Sequence, residues 1–363
     1  MKPVVNISRI LVGLLFIFSG LVKAIDPLGL AYKMQEFFEA WSAGGFMPGL
    51  MGMLNGQALL FSIVMITLEV MLGVALLLGW QKKLVAWLLL LLMVFFTFLT
   101  SYVLFSGKIR ACGCFGDCIP LTPIQTFTKD VILLLLVLLI VFGVKYIKPV
   151  FLNKINVLLL TVSLAAVLGL QWYVLHHLPI KDCLPFKVGN NILELRKMPK
   201  DAIPDKFDYS FIYEKNMQKK EFAVDALPDS TWQFVERKQV LIQKGKNNEP
   251  LINDFIFNTQ SGNDTTEAIL SQPGEYYLLF AKDFEGGHTG WIKSFELFST
   301  KSNIPVYMVT ADAKKAIELL GNNHVPVFIC DATAIKTAAR VNPTLFLMKG
   351  PVVKNKWAAK DKF

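Results

Sequence analysis

The chain has 363 residues, 53% of them hydrophobic and 18% charged, with a formal net charge of +9 and a mean hydropathy of +0.46. That hydropathy excludes a purely soluble globular protein, and the length suits two or three domains. Neither an arginine-rich block nor an interleaving of aromatic and basic residues accompanies the charge, which excludes nucleic acid as a partner; the Lys and Arg residues flank apolar runs instead, which points to a lipid bilayer.

The apolar excess lies before residue 178. Lys2 and Arg9 precede a run from Ile10 to Ile25. As a signal peptide this run would be cut near Val22-Lys23-Ala24. As a retained helix it would be the first of several spans, with Lys23 snorkelling at its end and Asp26-Pro27 stopping it. Because more spans follow, the retained helix is adopted. Residues 28–56 are mixed: Tyr32, Gln35, Glu36, Glu39, Phe37, Phe38 and Trp41 suggest an amphipathic surface helix, broken at Gly44-Gly45 and Pro48-Gly49.

Residues 57–79 are long enough to span and carry Glu69. A carboxyl inside a span is costly and marks a functional candidate; the alternative is a protonated Glu bonded to a neighbouring helix, and Lys23 of the first span is a partner for it if the two helices meet near the outer surface. Lys82-Lys83 precede a span over 84–105. Asp130 opens a fourth run to Ile147, and Lys145, Lys148 and Lys154 surround Pro149. A fifth run, 155–175, ends at Trp172, Tyr173, His176 and His177, which fit an interfacial belt. With five spans, Lys2, Arg9, Lys82, Lys83, Lys145, Lys148 and Lys154 share one side, which the positive-inside rule makes cytoplasmic. Lys108, Arg110 and Lys129 weaken this bias without reversing it. The loop after the third span and everything after residue 178 then face outward.

That loop, residues 107–126, holds Cys112, Cys114 and Cys118, three of the five cysteines. The outer side is where disulfides persist. Three thiols allow three single disulfides, each leaving one thiol free. A Cys-x-Cys bond closes a tight ring whose strain eases its reduction, whereas Cys118 bonded to either neighbour would be less strained. Lys108 and Arg110 favour thiolate. One disulfide that only pins the loop is the plainer alternative, and a zinc site lacks a local fourth ligand. Cys183 follows the fifth span on the same side and is a further partner for a loop cysteine.

The outer part begins near Pro179. Residues 184–274 carry short alternating runs such as Phe255-Ile256-Phe257 and read as β-rich. Tyr276 to Ala281 reads as a buried strand, Trp291 to Ser299 as a helix, Pro305 to Val309 as a strand, and Asp312 to Leu320 as a helix. Val325 to Ile329 is a third strand, Ala334 to Arg340 a further helix, and Thr344 to Met348 a closing strand. Strands alternating with helices argue an α/β layer. Cys330, at a strand end, reads as a buried core thiol.

Two resemblances follow from these residues. Arg9-Ile10-Leu11-Val12-Gly13, Phe18-Ser19-Gly20-Leu21-Val22-Lys23, Glu69-Val70-Met71-Leu72-Gly73 and Cys112-Gly113-Cys114-Phe115-Gly116 make residues 1–147 resemble the DoxX-like and MauE family of four-helix membrane proteins. The resemblance implies a role in periplasmic disulfide formation or redox transfer. More loosely the region is similar to quinone-linked oxidases of the DsbB and vitamin K epoxide reductase kind, although this chain lacks their Cys-x-x-Cys. The end of the chain resembles thioredoxin-like domains, which place a cis-proline before a strand like Thr344 to Met348, here Pro343. Where those domains carry Cys-x-x-Cys, this chain has Lys282 to Thr289 with no cysteine, which implies docking or scaffolding in place of dithiol catalysis.

The expected fold is an α-helical membrane bundle of four helices plus a fifth connecting span, followed by a soluble α/β thioredoxin-like domain with a β-rich insertion. The expected domains are the bundle (1–150), the fifth helix and linker (151–182), the β-rich segment (183–274) and the degenerate thioredoxin-like domain (275–363). Function is expected in thiol-disulfide exchange on extracytoplasmic proteins, with Cys112, Cys114, Cys118 and Glu69 as site residues, a quinone as the cofactor class, and no metal. A non-enzymatic membrane scaffold with a structural disulfide is the alternative. The expected location is the inner membrane, N-terminus cytoplasmic and C-terminal domain periplasmic.

Overall fold

Helices fill the first half of the chain because long apolar runs are punctuated by Pro, Gly and capping side chains. The computed structural model describes residues 1–363 apart from 110–112, 114, 217, 244, 246, 285–289, 322–324 and 363. Helix α1 (Lys2–Ala24) gives way to α2 (Pro27–Ala43), whose cap Asp26 accepts a hydrogen bond from the Gly29 amide. A short α3 (Pro48–Gly56) follows. Helix α4 (Ala58–Leu78) ends at Gly79 and α5 (Lys82–Ser106) at Gly107, both with positive φ, a conformation that glycine adopts without steric cost. Helix α6 (Pro123–Phe142) starts seven residues before Asp130, because Thr122 and Gln125 form a capping box and Pro123 is pre-set for a first turn. Helix α7 is Asn153–His176. Helices α1, α4, α5, α6 and α7 are long and apolar enough to cross a membrane.

Two glycines set the closest approach in the bundle. A Cβ on Gly20 would meet a Val70 methyl at 2.5 Å, and one on Gly73 would meet the Gly13 carbonyl oxygen at 2.8 Å. Small residues at a helix crossing let backbones touch, which is how apolar helices gain packing energy in lipid. The α1–α4 contact so formed is extended by α7 and α2 against α4 and by α5 against α6. At one end of this bundle Arg9 donates to the carbonyls of Leu76 and Leu77, the last turn of α4, and to Lys148 O at 3.3 Å. Lys82 donates to Ile147 O at 2.7 Å. The basic residues Arg9, Lys82 and Lys148 thus gather at one end, and the half of the chain after α7 packs at the other.

That half contains α8 (Ile192–Leu195) and an antiparallel sheet of β1 (Lys206–Lys215), β2 (Gln218–Ala223) and β3 (Gln233–Gln243) in the order β2-β1-β3. After α9 (Thr266–Leu270) come β4 (Glu275–Ala281), α10 (Trp291–Lys301), β5 (Val306–Thr310), α11 (Ala313–Leu320), β6 (Val327–Ile329), α12 (Ala332–Ala338), β7 (Thr344–Lys349), β8 (Val352–Ala358) and α13 (Ala359–Lys362). The second sheet has the order β6-β5-β4-β7-β8. Strands β4, β5 and β6 run parallel, β7 is antiparallel to β4, and β8 is antiparallel to β7.

Strand alternation feeds two cores. Tyr276, Leu278 and Phe280 of β4 join Phe346, Met348, Ile335 of α12 and the incoming Phe186, Phe255 and Phe257 on one face. Leu279 joins Met308, Leu345, Phe295 of α10 and Ala316 of α11 on the other. Cys330 is buried in the first core, where burial pushes its thiol up to about 12. The Asn342–Pro343 peptide is cis and immediately precedes β7.

Candidate functional site beneath the cysteine loop

The close α1–α4 crossing brings Lys23, at the end of α1, to Glu69. Lys23 Nζ lies 2.7 Å from Glu69 Oε2 with both side chains about 5% exposed. The ammonium also sits 4.9 Å over the Phe96 ring of α5. Two turns into α6, Asp130 is buried and paired with Lys129 at 2.5 Å. Lys23, Glu69, Lys129 and Asp130 line one small cavity of about 20 Å³, together with Ser19 and Phe115. A cavity of that size has room for one water. A buried ion pair is poor evidence of stability, since hydrophobic residues of the same volume would serve as well. Two such pairs around one cavity are therefore a chemical feature more than a structural necessity.

The cysteine loop closes this cavity. Phe115 packs on Phe18 of α1 at 5.9 Å and takes the Lys129 ammonium over its face at 5.1 Å. Gly113 and Gly116 have positive φ, which permits the tight path of the loop. Gly113 lies against Lys33 of α2, and Gly116 against Val22 of α1. Cys112 and Cys114 lie outside the described residues. Cys118 is bonded to Cys183, with Cα atoms 4.9 Å apart. This pairing across 65 residues removes Cys118 from the combinations open to Cys112 and Cys114.

An ionic clamp surrounds that disulfide. Arg340, just past α12, donates to Asp26 Oδ2 and to Asp117 Oδ2, each at 2.8 Å. Burial works against its charge, but the two carboxylates outweigh it and raise its pKa. Asp117 adjoins Cys118, and Asp182, which adjoins Cys183, pairs with Lys356 of β8 at 2.7 Å. Tyr32 of α2 lies in a cationic cage: Lys282, Lys336 and Arg340 stand 5.9, 5.4 and 5.4 Å from its ring. Its hydroxyl accepts from Lys282 Nζ at 3.1 Å, and Lys282 also donates to Arg340 O at 3.0 Å. Burial pushes the Tyr32 hydroxyl up to about 12 and the Lys282 ammonium down to about 8. Residues 285–289 lie outside the described residues; just before them the Lys282 amide donates to Asn342 Oδ1 at 2.8 Å while its ammonium reaches Tyr32 of α2.

The structure therefore brings Glu69 and the loop together and sends Cys118 elsewhere. His177 pairs with Asp361 at 2.5 Å, and His176 Nδ1 lies 2.8 Å from Trp172 O. In the sequence Asp130 reads as the polar start of a span; the capping box of Thr122 and Gln125, directly after Leu121, is the signal that moves it inside the helix. Asp117, Arg340, Tyr32 and Lys282 carry no sequence signal, since their roles arise only where two distant segments meet.

Residues 1–143 match the family described as methylamine utilisation protein MauE. Residues 207–244, the β1–β3 sheet, match a domain of unknown function (DUF8463). Protein TlpB of Flavobacterium psychrophilum is 32% identical over 137 residues, which are 37% of this chain and 35% of that protein. The chain therefore covers about a third of the length of this curated relative. No solved structure matches the chain. The five apolar helices and the MauE match define an integral membrane protein with a MauE-like N-terminal region, followed by a soluble region that contains two sheets.

Proposed function

We propose that this is an inner-membrane thiol-disulfide exchange protein in which Cys112 and Cys114 are the redox pair and Glu69, with Lys23, handles the proton. The observation that carries the reading is the buried Lys23–Glu69 pair in a cavity closed by Phe115, one residue from Cys114 in a loop whose third cysteine is committed to Cys183. The family described as MauE and the Protein TlpB similarity are consistent with a membrane redox role. The basic end of the bundle is cytoplasmic and the soluble region periplasmic in this reading.

The exchange balances as follows. A client thiolate attacks one sulfur of a Cys112–Cys114 disulfide, forming a mixed disulfide and releasing one loop thiolate. The second client thiolate displaces the other loop sulfur. The client gains a disulfide and the loop gains two electrons and two protons. A quinone is the class of acceptor that would take both back, becoming a quinol. A carboxyl held beside an ammonium beneath the loop is placed to pass a proton to a loop thiolate.

The end domain is proposed to be a degenerate thioredoxin-like domain. Support comes from the β5-β4-β7-β8 order, with β4 and β5 parallel and β7 and β8 antiparallel neighbours, and from the cis peptide before β7. A non-enzymatic scaffold remains the second reading, favoured by the Cys118–Cys183 tether and the Arg340 clamp. The test is complementation by Glu69→Gln. Gln still accepts the Lys23 hydrogen bond but can carry neither proton nor counter-charge, so the variant loses oxidation of client thiols; Glu69→Gln with Lys23→Met, which also removes the stranded charge, restores stability and should stay inactive. Full complementation would reduce Glu69 to a hydrogen-bonding group.

A further inference from the structure

A trough runs between α2 and the soluble region, alongside the cysteine loop. It consists of two contiguous hollows of about 680 and 710 Å³ that share Lys33, Glu36, Glu39, Leu251, Thr333 and Thr337. One wall is the polar face of α2 and the other is α12 with the segment before Phe255. Each hollow alone has the volume of an ordinary small-ligand pocket, about 300–1,000 Å³. Joined, they form an elongated channel instead of an enclosed site. Both ends of the loop line it: Lys108 and Ile109 border one hollow, and Asp117 and Pro120 the other. Anything lying in the trough is held against Lys108, Ile109, Asp117 and Pro120, the described ends of the loop.

The chemistry of the walls names the occupant. Charges of both signs alternate along them, with Lys33, Glu36 and Glu39 facing Asp331 and Lys336. Such walls select neither net charge, as a nucleotide or metabolite site would. Leu251 stands in the shared part with 68% of its surface exposed, and the Thr333 and Thr337 hydroxyls lie on the same helix face. An apolar knob among hydroxyls and mixed charges suits a chain of varied side chains and regular backbone hydrogen-bonding groups. We infer that the trough binds an extended, unfolded polypeptide and delivers its cysteines to the loop. This rests on the thiol-exchange reading for the chemistry, but the binding itself does not need it.

The test uses the full-length protein in lipid nanodiscs. The binding probe is reduced, carboxymethylated ribonuclease, an unfolded polypeptide without thiols. Leu251→Trp and Thr337→Trp fill the shared part from two elements of the same wall at exposed or half-exposed positions, so each is expected to leave the fold intact. Each should weaken probe binding about tenfold, a fold-change that reads directly as lost occupancy of the trough. Leu297→Trp, on α10 away from the trough, should not. A second arm compares single-turnover exchange with reduced, unfolded ribonuclease and with dithiothreitol. The trough variants should lower the ratio of the two rates about tenfold, since a two-thiol small molecule has no chain to hold. Unchanged binding in both trough variants, or an equal loss in Leu297→Trp, overturns the inference. Trough-dependent binding by a protein that exchanges with neither thiol would sink the redox reading and leave the trough standing.

Discussion

The membrane bundle and the soluble region bury charge in opposite ways. In the bundle, Lys23, Glu69, Lys129 and Asp130 point inward around one cavity. In the soluble region the buried charges Arg340 and Lys356 point outward, toward Asp26, Asp117 and Asp182 on the membrane side. Inward pairs cost desolvation without adding to assembly, so their retention argues for chemistry. Outward pairs fix how two bodies meet, so they argue for positioning. The cysteine-bearing segments divide along the same line: Cys118–Cys183 lies between two clamped aspartates, while Phe115 of the loop covers the inward cavity.

The largest expected effect breaks the inward pair. Glu69→Leu leaves Lys23 buried without a counter-charge and should cost about 3–5 kcal/mol, measured as a fall in thermal stability in detergent. Lys23→Met added to it should restore most of that loss. A single-variant cost below about 1 kcal/mol would show that the pair does not carry a buried charge. Arg340→Met strikes the outward set. It strands Asp26 and Asp117, which are partly exposed, so about 1–3 kcal/mol of docking should be lost. Faster hydrogen exchange confined to α12, β7 and their contacts on α2 would register it.

Cys183→Ser should weaken docking by about 2 kcal/mol, the low end for a disulfide, because α6 and α7 already restrain the chain between the two cysteines. Limited proteolysis of the 177–205 segment reports this. If exchange on client thiols is lost as fully as in a Cys112→Ser variant, the division between structural and redox cysteines fails. The smallest effect is a pH dependence. Burial holds Lys282 at about 8 against an ordinary 10.5, so the undocked state binds more protons than the docked one between those values. Docking should therefore tighten as pH rises from 8 toward 10, by at most about 1.4 kcal/mol per pH unit. Above pH 10 Tyr32, raised to about 12, keeps its proton only when docked, and docking weakens again. A fluorophore pair on α2 and α12 follows the distance, and Lys282→Met should flatten the rise.

What could be read from the chain alone follows from range. The spans were legible because twenty apolar residues in a row need no partner to be recognised. The alternating runs of Tyr276 to Ala281 and Thr344 to Met348 were legible for the same reason. Glu69 stood out as a lone carboxyl in an apolar helix, and Lys23 as a basic residue at a helix end. Their meeting depended on Gly13, Gly20 and Gly73 letting α1 and α4 touch, and that is a tertiary property. The Arg340 clamp joins residues 314 and 223 positions apart, beyond any local pattern. Cys183 was legible as a partner for a loop cysteine, but not that it takes Cys118, because the reach from the loop to Cys183 depends on how α6 and α7 return the chain.

The central claim is that Cys112 and Cys114 cycle while Cys118 and Cys183 stay joined. Differential alkylation in intact cells, with peptide-level assignment of each cysteine before and after a short pulse of dithiothreitol and during recovery, measures it directly. The account predicts that Cys112 and Cys114 become alkylated in the pulse and are protected again on recovery, while Cys118 and Cys183 remain unlabelled throughout. Labelling of Cys118 and Cys183 in step with the loop pair, or four cysteines that never change, would contradict it.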